Sequence, residues 1–309
     1  MTDRSDRPVD ELFGLLGNEV RMGIMQALWE RFDFQAYVTR TLEPVAFSTL
    51  QAATDTPDSG NFNYHLGRLE GDLVENTGEG YRLSQRGYNL MRTIEDYATF
   101  ESRHIEPTEL SERCPFCEGP LEASYDRELF AVRCRDCGGL GSGNIGVVNV
   151  PATSVHSADP AALLDPAAAR IERRVAAATR GWCWNCHHPL EVSVDQCADH
   201  RPGADGICPS CEVRFSATMV VECPSCGTEG AGPLLESALV EPRVRAAFET
   251  IGEGPIGAGS WQYRLSALGG ATERLLDAEP ITVEFQFELP DRTLELRVSE
   301  ADPLAMSIE

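Results

Sequence analysis

Twelve residues of this chain have the types and spacing that bind metal. Eleven cysteines and one histidine form six pairs with two residues between the members: Cys114 and Cys117, Cys134 and Cys137, Cys183 and Cys186, Cys197 and His200, Cys208 and Cys211, Cys223 and Cys226. A two-residue spacer lets a tight turn aim two ligands at one ion, and twelve ligands complete three tetrahedral zinc sites with none left over. Full sets of four leave no open position for water, so the expectation is three structural zinc ions and no catalysis. Four cysteines also suit an iron–sulfur cluster, which the pattern by itself leaves open. Disulfide frameworks belong to short secreted domains, and redox pairs sit on a thioredoxin-like strand and helix rather than in short hairpins.

The ligands are carried by an internal repeat. CPFCEGPLEASYD from Cys114 superposes on CWNCHHPLEVSVD from Cys183 without a gap. In the first copy Leu129 to Val132 runs on into RCRDCGG, so Cys114, Cys117, Cys134 and Cys137 share one ion in a zinc-ribbon hairpin. In the second copy the matching return strand, Thr218 to Val221, leads to ECPSCGT. Repeat logic therefore joins Cys183 and Cys186 to Cys223 and Cys226, and leaves Cys197, His200, Cys208 and Cys211 to close an inserted loop. A sequential pairing, Cys183/Cys186 with Cys197/His200 and Cys208/Cys211 with Cys223/Cys226, fits the spacings nearly as well. His187 and His188 read as residues beside a knuckle rather than ligands, Trp182 and Trp184 as packing against the ribbon, and His104 and His156 have no partner pattern.

With 309 residues there is room for two or three domains. The net charge is −23, and all 26 basic residues are arginine, a composition that resembles proteins of salt-loving archaea. In ordinary cytoplasm such acidity opposes phosphate binding, but multimolar salt shortens the Debye length to about 3 Å or less and mutes attraction and repulsion alike. No apolar run approaches the ~18 residues of a membrane span, and no apolar signal segment opens the chain. With so many free thiols, a reducing cytoplasm is expected.

The first hundred residues lack cysteine and carry a second pattern. Apolar residues step by three and four from Val9 through Leu12, Phe13, Leu16, Val20, Ile24 and Leu28 to about Phe32, one long amphipathic helix or two in tandem. Phe32 to Val45 is irregular, and Ser48 with Gln51 forms a capping box for a short helix through Thr54. After a turn from Asp55 to Gly60, a third helix spans about Asn61 to Asp72 with Phe62, Leu66, Leu69 and Leu73 on one face. Leu73–Asn76 and Tyr81–Leu83 read as a hairpin, and Ser84 caps a last helix to about Phe100, with Leu90, Ile94 and Tyr97 buried.

That order, with GNFNYHLGRLE followed by GYRLSQRG, resembles the ArsR-like winged helix-turn-helix regulators of archaea, over about residues 9 to 100. The resemblance implies double-stranded DNA binding with the third helix in the major groove, and a homodimer formed through the first and last helices. Metal-sensing relatives carry a cysteine pair in this domain, whereas residues 1–113 contain none. On that helix Asn61 and Asn63 suit adenine edges or phosphate, Arg68 suits guanine or phosphate, and Tyr64 and His65 the backbone. Arg82 and Arg86 flank the wing.

The expected class is therefore a multidomain α+β protein. It comprises a winged helix-turn-helix (8–100), a first zinc ribbon (110–150), a linker helix (159–180), a second zinc-ribbon module with its inserted loop (181–230) and a small α+β segment (232–309). In the last, a helix is expected from about Leu234 to Ile251, a helical stretch near Trp261 to Asp277, then strands Ile281–Leu289 and Thr293–Val298. No phosphate loop, catalytic triad or acid pair occurs there. The function expected is sequence-specific regulation of transcription. The alternatives are a basal transcription factor or polymerase-associated adaptor, which would contact transcription-machinery proteins, and a zinc enzyme acting on nucleic acid.

Overall fold

The structure, a computed structural model, describes residues 14–39, 42–98, 103–299 and 302–308. The start of the first expected helix (Val9, Leu12 and Phe13), the Tyr97 side chain and the helix end at Phe100 lie outside them. The chain is a mixed α and β protein with several small sheets, divided into two compact units between Phe100 and Glu101. Among the described residues, no helix is long and apolar enough to cross a membrane.

The amino-terminal unit holds helices α1 (Glu19–Trp29), α2 (Phe34–Val38), α3 (Phe47–Ala53) and α4 (Ser59–Leu69), the hairpin β1 (Val74–Asn76) and β2 (Tyr81–Leu83), and α5 (Gln85–Ala98). Helix α2, in the stretch read as irregular, is opened by Asp33, whose side chain accepts from the Ala36 amide. The expected capping box is not formed. Ser48 lies inside the first turn of α3, and Gln51 donates instead to the Thr56 carbonyl and to Ser59 Oγ, tying α3 to the start of α4. Helix α4 begins two residues early because Asp58 caps it, accepting from the amides of Gly60 and Asn61. It stops at Leu69, since Glu70 is extended and Gly71 takes φ 81°. Ser84 does cap α5, accepting from the Gly87 amide while donating to the Asp72 carbonyl. Ile24, Leu28, Leu50, Phe62, Leu66 and Leu83 form the core of this unit.

The second unit begins with an antiparallel sheet in the order β3 (Ile105–Arg113), β4 (Pro120–Asp126), β5 (Leu129–Cys134), β6 (Asn144–Asn149). After α6 (Leu164–Ala178) comes a three-stranded sheet of β7 (Glu191–Gln196), β8 (Ala217–Glu222) and β9 (Glu229–Pro233). Helices α7 (Leu235–Leu239), α8 (Pro242–Thr250) and α9 (Ser260–Gly269) lead into a meander of β10 (Ala271–Ala278), β11 (Ile281–Glu288), β12 (Thr293–Ser299) and β13 (Asp302–Ile308). The helix expected over Leu234–Ile251 is two helices, because Pro242 opens a new first turn. The helical stretch expected to Asp277 ends at Gly269, and Ala271–Ala278 pairs as a strand with β11. Strands β3 and β13 were not anticipated. Tyr125, Phe130, Leu164, Met219, Phe248 and Phe285 belong to one hydrophobic cluster, so the two ribbons, the helix joining them and the carboxy-terminal segment share a core.

Candidate functional site

Four of the cysteine pairs are built on one turn. In the pairs opened by Cys114, Cys183, Cys208 and Cys223, the first cysteine's amide donates to the carbonyls of Gly119, His188, Val213 and Thr228 respectively, at 2.8–3.1 Å. Its carbonyl accepts from Glu118, His187, Glu212 and Gly227 at 2.8–3.0 Å. Those last four residues share a left-handed backbone, with φ between 59° and 67°. His187 thus holds a turn position that glycine holds in the Cys223 turn, and belongs to no ligand cluster. The turn frees amides for the sulfurs, as where Cys183 Sγ accepts from the Asn185 amide at 3.4 Å; at the Cys134 knuckle, which lacks this turn, Sγ still accepts from the Asp136 amide at 3.3 Å.

The twelve ligands gather into three clusters, Cys114/Cys117/Cys134/Cys137, Cys183/Cys186/Cys223/Cys226 and Cys197/His200/Cys208/Cys211, and within each the ligand atoms lie within 4.8 Å of one another. The second module is therefore nested, with the insert closing its own centre. The register that pairs Glu191 with Glu222 sets the two knuckles of the second ribbon side by side. Across the first centre Cys114 and Cys137 sulfurs are 3.6 Å apart and those of Cys117 and Cys134 3.5 Å; in the second ribbon the corresponding distances are 3.7 and 3.5 Å. A disulfide would need about 2.05 Å, whereas thiolates tetrahedrally placed about 2.3 Å from an ion stand about 3.8 Å apart. The residues fit three metal ions. At Cys183 and Cys208 burial, the largest influence, raises the thiol, yet hydrogen-bond donors together outweigh it: the amides of Cys186 and Asn185 help bring Cys183 down to about 6, and those of Arg201, Cys211 and Ser210 do the same for Cys208.

In the insert centre, His200 Nδ1 lies 3.4 Å from Cys211 Sγ while Nε2–H donates to the Arg214 carbonyl at 3.0 Å, which fixes the tautomer and the plane of the ring. Arg214 also ties this centre to the first. Its amide donates to the Leu140 carbonyl at 3.0 Å, Nε to Gly139 at 2.7 Å and Nη2 to Asp205 at 2.8 Å, and its guanidinium lies 4.1 Å from the Phe116 ring centroid. Gly138 is glycine because a Cβ there would come 2.1 Å from Ile207 Cγ1 of the insert. Neither Arg214 nor Ile207 carries a ligand spacing, so neither could be singled out from sequence.

Of the residues expected at DNA, Asn61, Asn63, Tyr64 and Arg68 are exposed on α4, opposite buried Phe62, Leu66 and Leu69. Tyr64 is 61% exposed, unusual for a large ring. His65 is half-buried and accepts at Nδ1 from Arg21 Nη1 at 2.9 Å, so it joins α4 to α1; burial, then the Arg21 charge, pushes its pKa down. On the hairpin Arg82 Nε pairs with Glu75 at 2.9 Å, and beyond it Arg86 pairs with Asp72 at 3.0 Å. Trp184 packs against the core of its unit, whereas Trp182 is half-exposed.

Fold and site together define a two-unit protein whose second unit is organised around three four-ligand centres. Residues 111–302, more than half of the chain and all twelve ligands, match the family described as Domain of unknown function (DUF7351), and the protein belongs to that family. Residues 9–94, which include all seven residues expected at DNA, match a second family described as Domain of unknown function (DUF7347). No curated protein matches the chain, and no solved structure does.

Proposed function

We propose that this protein is a sequence-specific, double-stranded DNA-binding regulator of transcription, in which a winged helix-turn-helix reads DNA and three structural zinc ions hold the second unit together. Helices α3 and α4 form the helix-turn-helix, the β1–β2 hairpin is the wing, and α4 enters the major groove. The observation that carries the reading is the outer face of α4. Asn61, Tyr64 and Arg68 stand there one and two turns apart, exposed, on the side opposite the core residues. Arg68 has no ion-pair or hydrogen-bond partner among the described residues, whereas Arg82 and Arg86 are each held by a carboxylate. An unpaired arginine on a chain of net charge −23 is a group kept for a partner rather than for the fold.

Zinc suits the three centres because cysteine and histidine in closed sets of four are its structural ligands, and its binding adds folding free energy to the core that the ribbons share. Three closed sets leave no position for a reacting water, which favours a non-enzymatic role. The protein works as a homodimer in a salt-rich cytoplasm. The test is selection of binding sites from random duplex DNA at molar potassium chloride, followed by fluorescence anisotropy on the selected sequence. Arg68→Ala weakens binding about tenfold, the effect of losing one base or phosphate contact of about 1–3 kcal/mol. Failure of the selection to converge, or unchanged affinity for Arg68→Ala, removes the reading.

A further inference from the structure

The second unit contains a cleft that none of the twelve metal ligands lines. Two adjoining cavities of about 180 and 450 Å³ share Val147, Ile171, Val175, Gly232 and Glu236, so together they form one space bounded by β6, α6 and β9. Its size is that of a small-molecule site. Both β6 and β9 are the outermost strands of their sheets. The ladder bonds made by Val150 to Glu128 and by Leu234 to Ala217 fix the alternation along each strand. By that alternation Val147 and Ala231 turn their amides and carbonyls away from their sheets. The cleft is open beside Gly232, where an added Cβ would meet nothing within 4 Å.

Two arginines mark its polar ends. Arg264, only 5% exposed, is held by Glu236 at 2.5 Å through both guanidinium tips and by the Ile145 carbonyl at 3.0 Å, and its Nε is closed off from the cleft space. Glu236 offsets the charge of Arg264, so that end carries no net charge. Arg174, at the other end, sits 6.0 Å from the Trp184 ring centroid, and its buried Nε is without a partner. No carboxylate pairs with Arg174 among the described residues; burial, then the like charges of Arg170 and Arg173, disfavours its cation. A half-buried cation with cationic neighbours and no counter-ion is stabilised by an anion. Glu229 and Glu236 also line the cleft, and they disfavour a multiply charged guest such as a phosphate monoester.

We propose that the cleft binds a small organic carboxylate, with the carboxylate on Arg174 and an apolar body between Ile171, Val175 and Pro233. The site stands whether or not the first unit binds DNA; in a regulator, this is where an effector would act. The test uses the full-length, metal-loaded protein at molar potassium chloride, titrated with decanoate, phenylacetate and p-hydroxyphenylacetate. Tryptophan fluorescence follows Trp184, and calorimetry gives the stoichiometry. One equivalent binds saturably, and Arg174→Ala weakens binding about tenfold, as expected for a lost charged hydrogen bond. Gly232→Leu fills the cleft and abolishes binding, whereas Gly232→Ala binds; metal content and melting temperature confirm that each variant is folded. Absence of saturable binding by all three acids, or affinities unchanged in both Arg174→Ala and Gly232→Leu, overturns the proposal.

Discussion

His200 Nε2 lies 3.0 Å from the carbonyl oxygen of Arg214, and the guanidinium of that same Arg214 reaches the Gly139 carbonyl beside the first metal centre at 2.7 Å. One residue therefore orients a ligand of one centre and clamps the other. Arg214→Ala keeps the carbonyl on His200 but removes two side-chain hydrogen bonds and the contact with Phe116. The expected cost is about 2 kcal/mol in unfolding free energy, with faster chelator-driven release of the ions at the first and insert centres only. Native mass spectrometry of the partly chelated protein checks it, and release of all three ions at the wild-type rate would contradict the clamp.

The pair of Glu236 and Arg264 is buried, with side chains 11% and 7% exposed. Removing one partner strands a charge, so Glu236→Leu costs about 3–5 kcal/mol, whereas Glu236→Leu with Arg264→Met costs far less because no charge is left alone. Denaturant unfolding of the wild type and the two variants decides this. A double mutant less stable than Glu236→Leu would show that the pair itself holds the unit together.

The metal clusters were legible in the sequence because their signal is local: a ligand, two residues, a ligand. Their grouping in the second module was legible only through the internal repeat, because the spacings alone also allow the sequential pairing; the β7–β8 register, which brings Cys186 to within 3.5 Å of Cys223, realises the nested one. Ala271–Ala278 was misread for a related reason. Its alanine, glutamate, arginine and leucine residues favour helix, but Gly269 and Gly270 end α9 and the pairing with β11 overrides the local preference. Similarly, Ser48 and Gln51 have the spacing of a capping box, yet Gln51 gains more from bridging to Thr56 and Ser59. The hydrophobic face of α4 could be read from its period, whereas the grip of Arg21 on His65 depends on how α1 packs and left no mark in the sequence.

Gly67 lies on the exposed side of α4, where an added Cβ would meet nothing within 4 Å. Glycine inside a helix costs up to about 1 kcal/mol relative to alanine, so Gly67→Ala stabilises the amino-terminal unit by that order. If the face lies against DNA, the same methyl lowers affinity for the selected sequence. Paired melting and anisotropy measurements check both halves, and a variant that is more stable and binds equally well would place the DNA elsewhere.

His65 gives the amino-terminal unit a pH dependence of definite sign. Its pKa in the folded protein is lowered from 6.5 by burial and then by Arg21. The unfolded chain therefore binds the proton more readily, and the stabilisation present above 6.5 is lost as pH falls through the folded value. Hydrogen exchange of α4 amides is expected to lose protection as pH falls below 6.5. His65→Gln keeps an acceptor for Arg21 and flattens the profile; parallel losses in wild type and variant would assign the effect to other groups.

Genome-wide chromatin immunoprecipitation of the tagged protein in its native host, beside the Arg68→Ala variant, tests DNA-specific regulation most directly. The expected result is a limited set of sharp promoter peaks sharing one motif, lost in the variant although its metal content is intact. Broad signal following polymerase across active promoters, or peaks that survive Arg68→Ala, would contradict it.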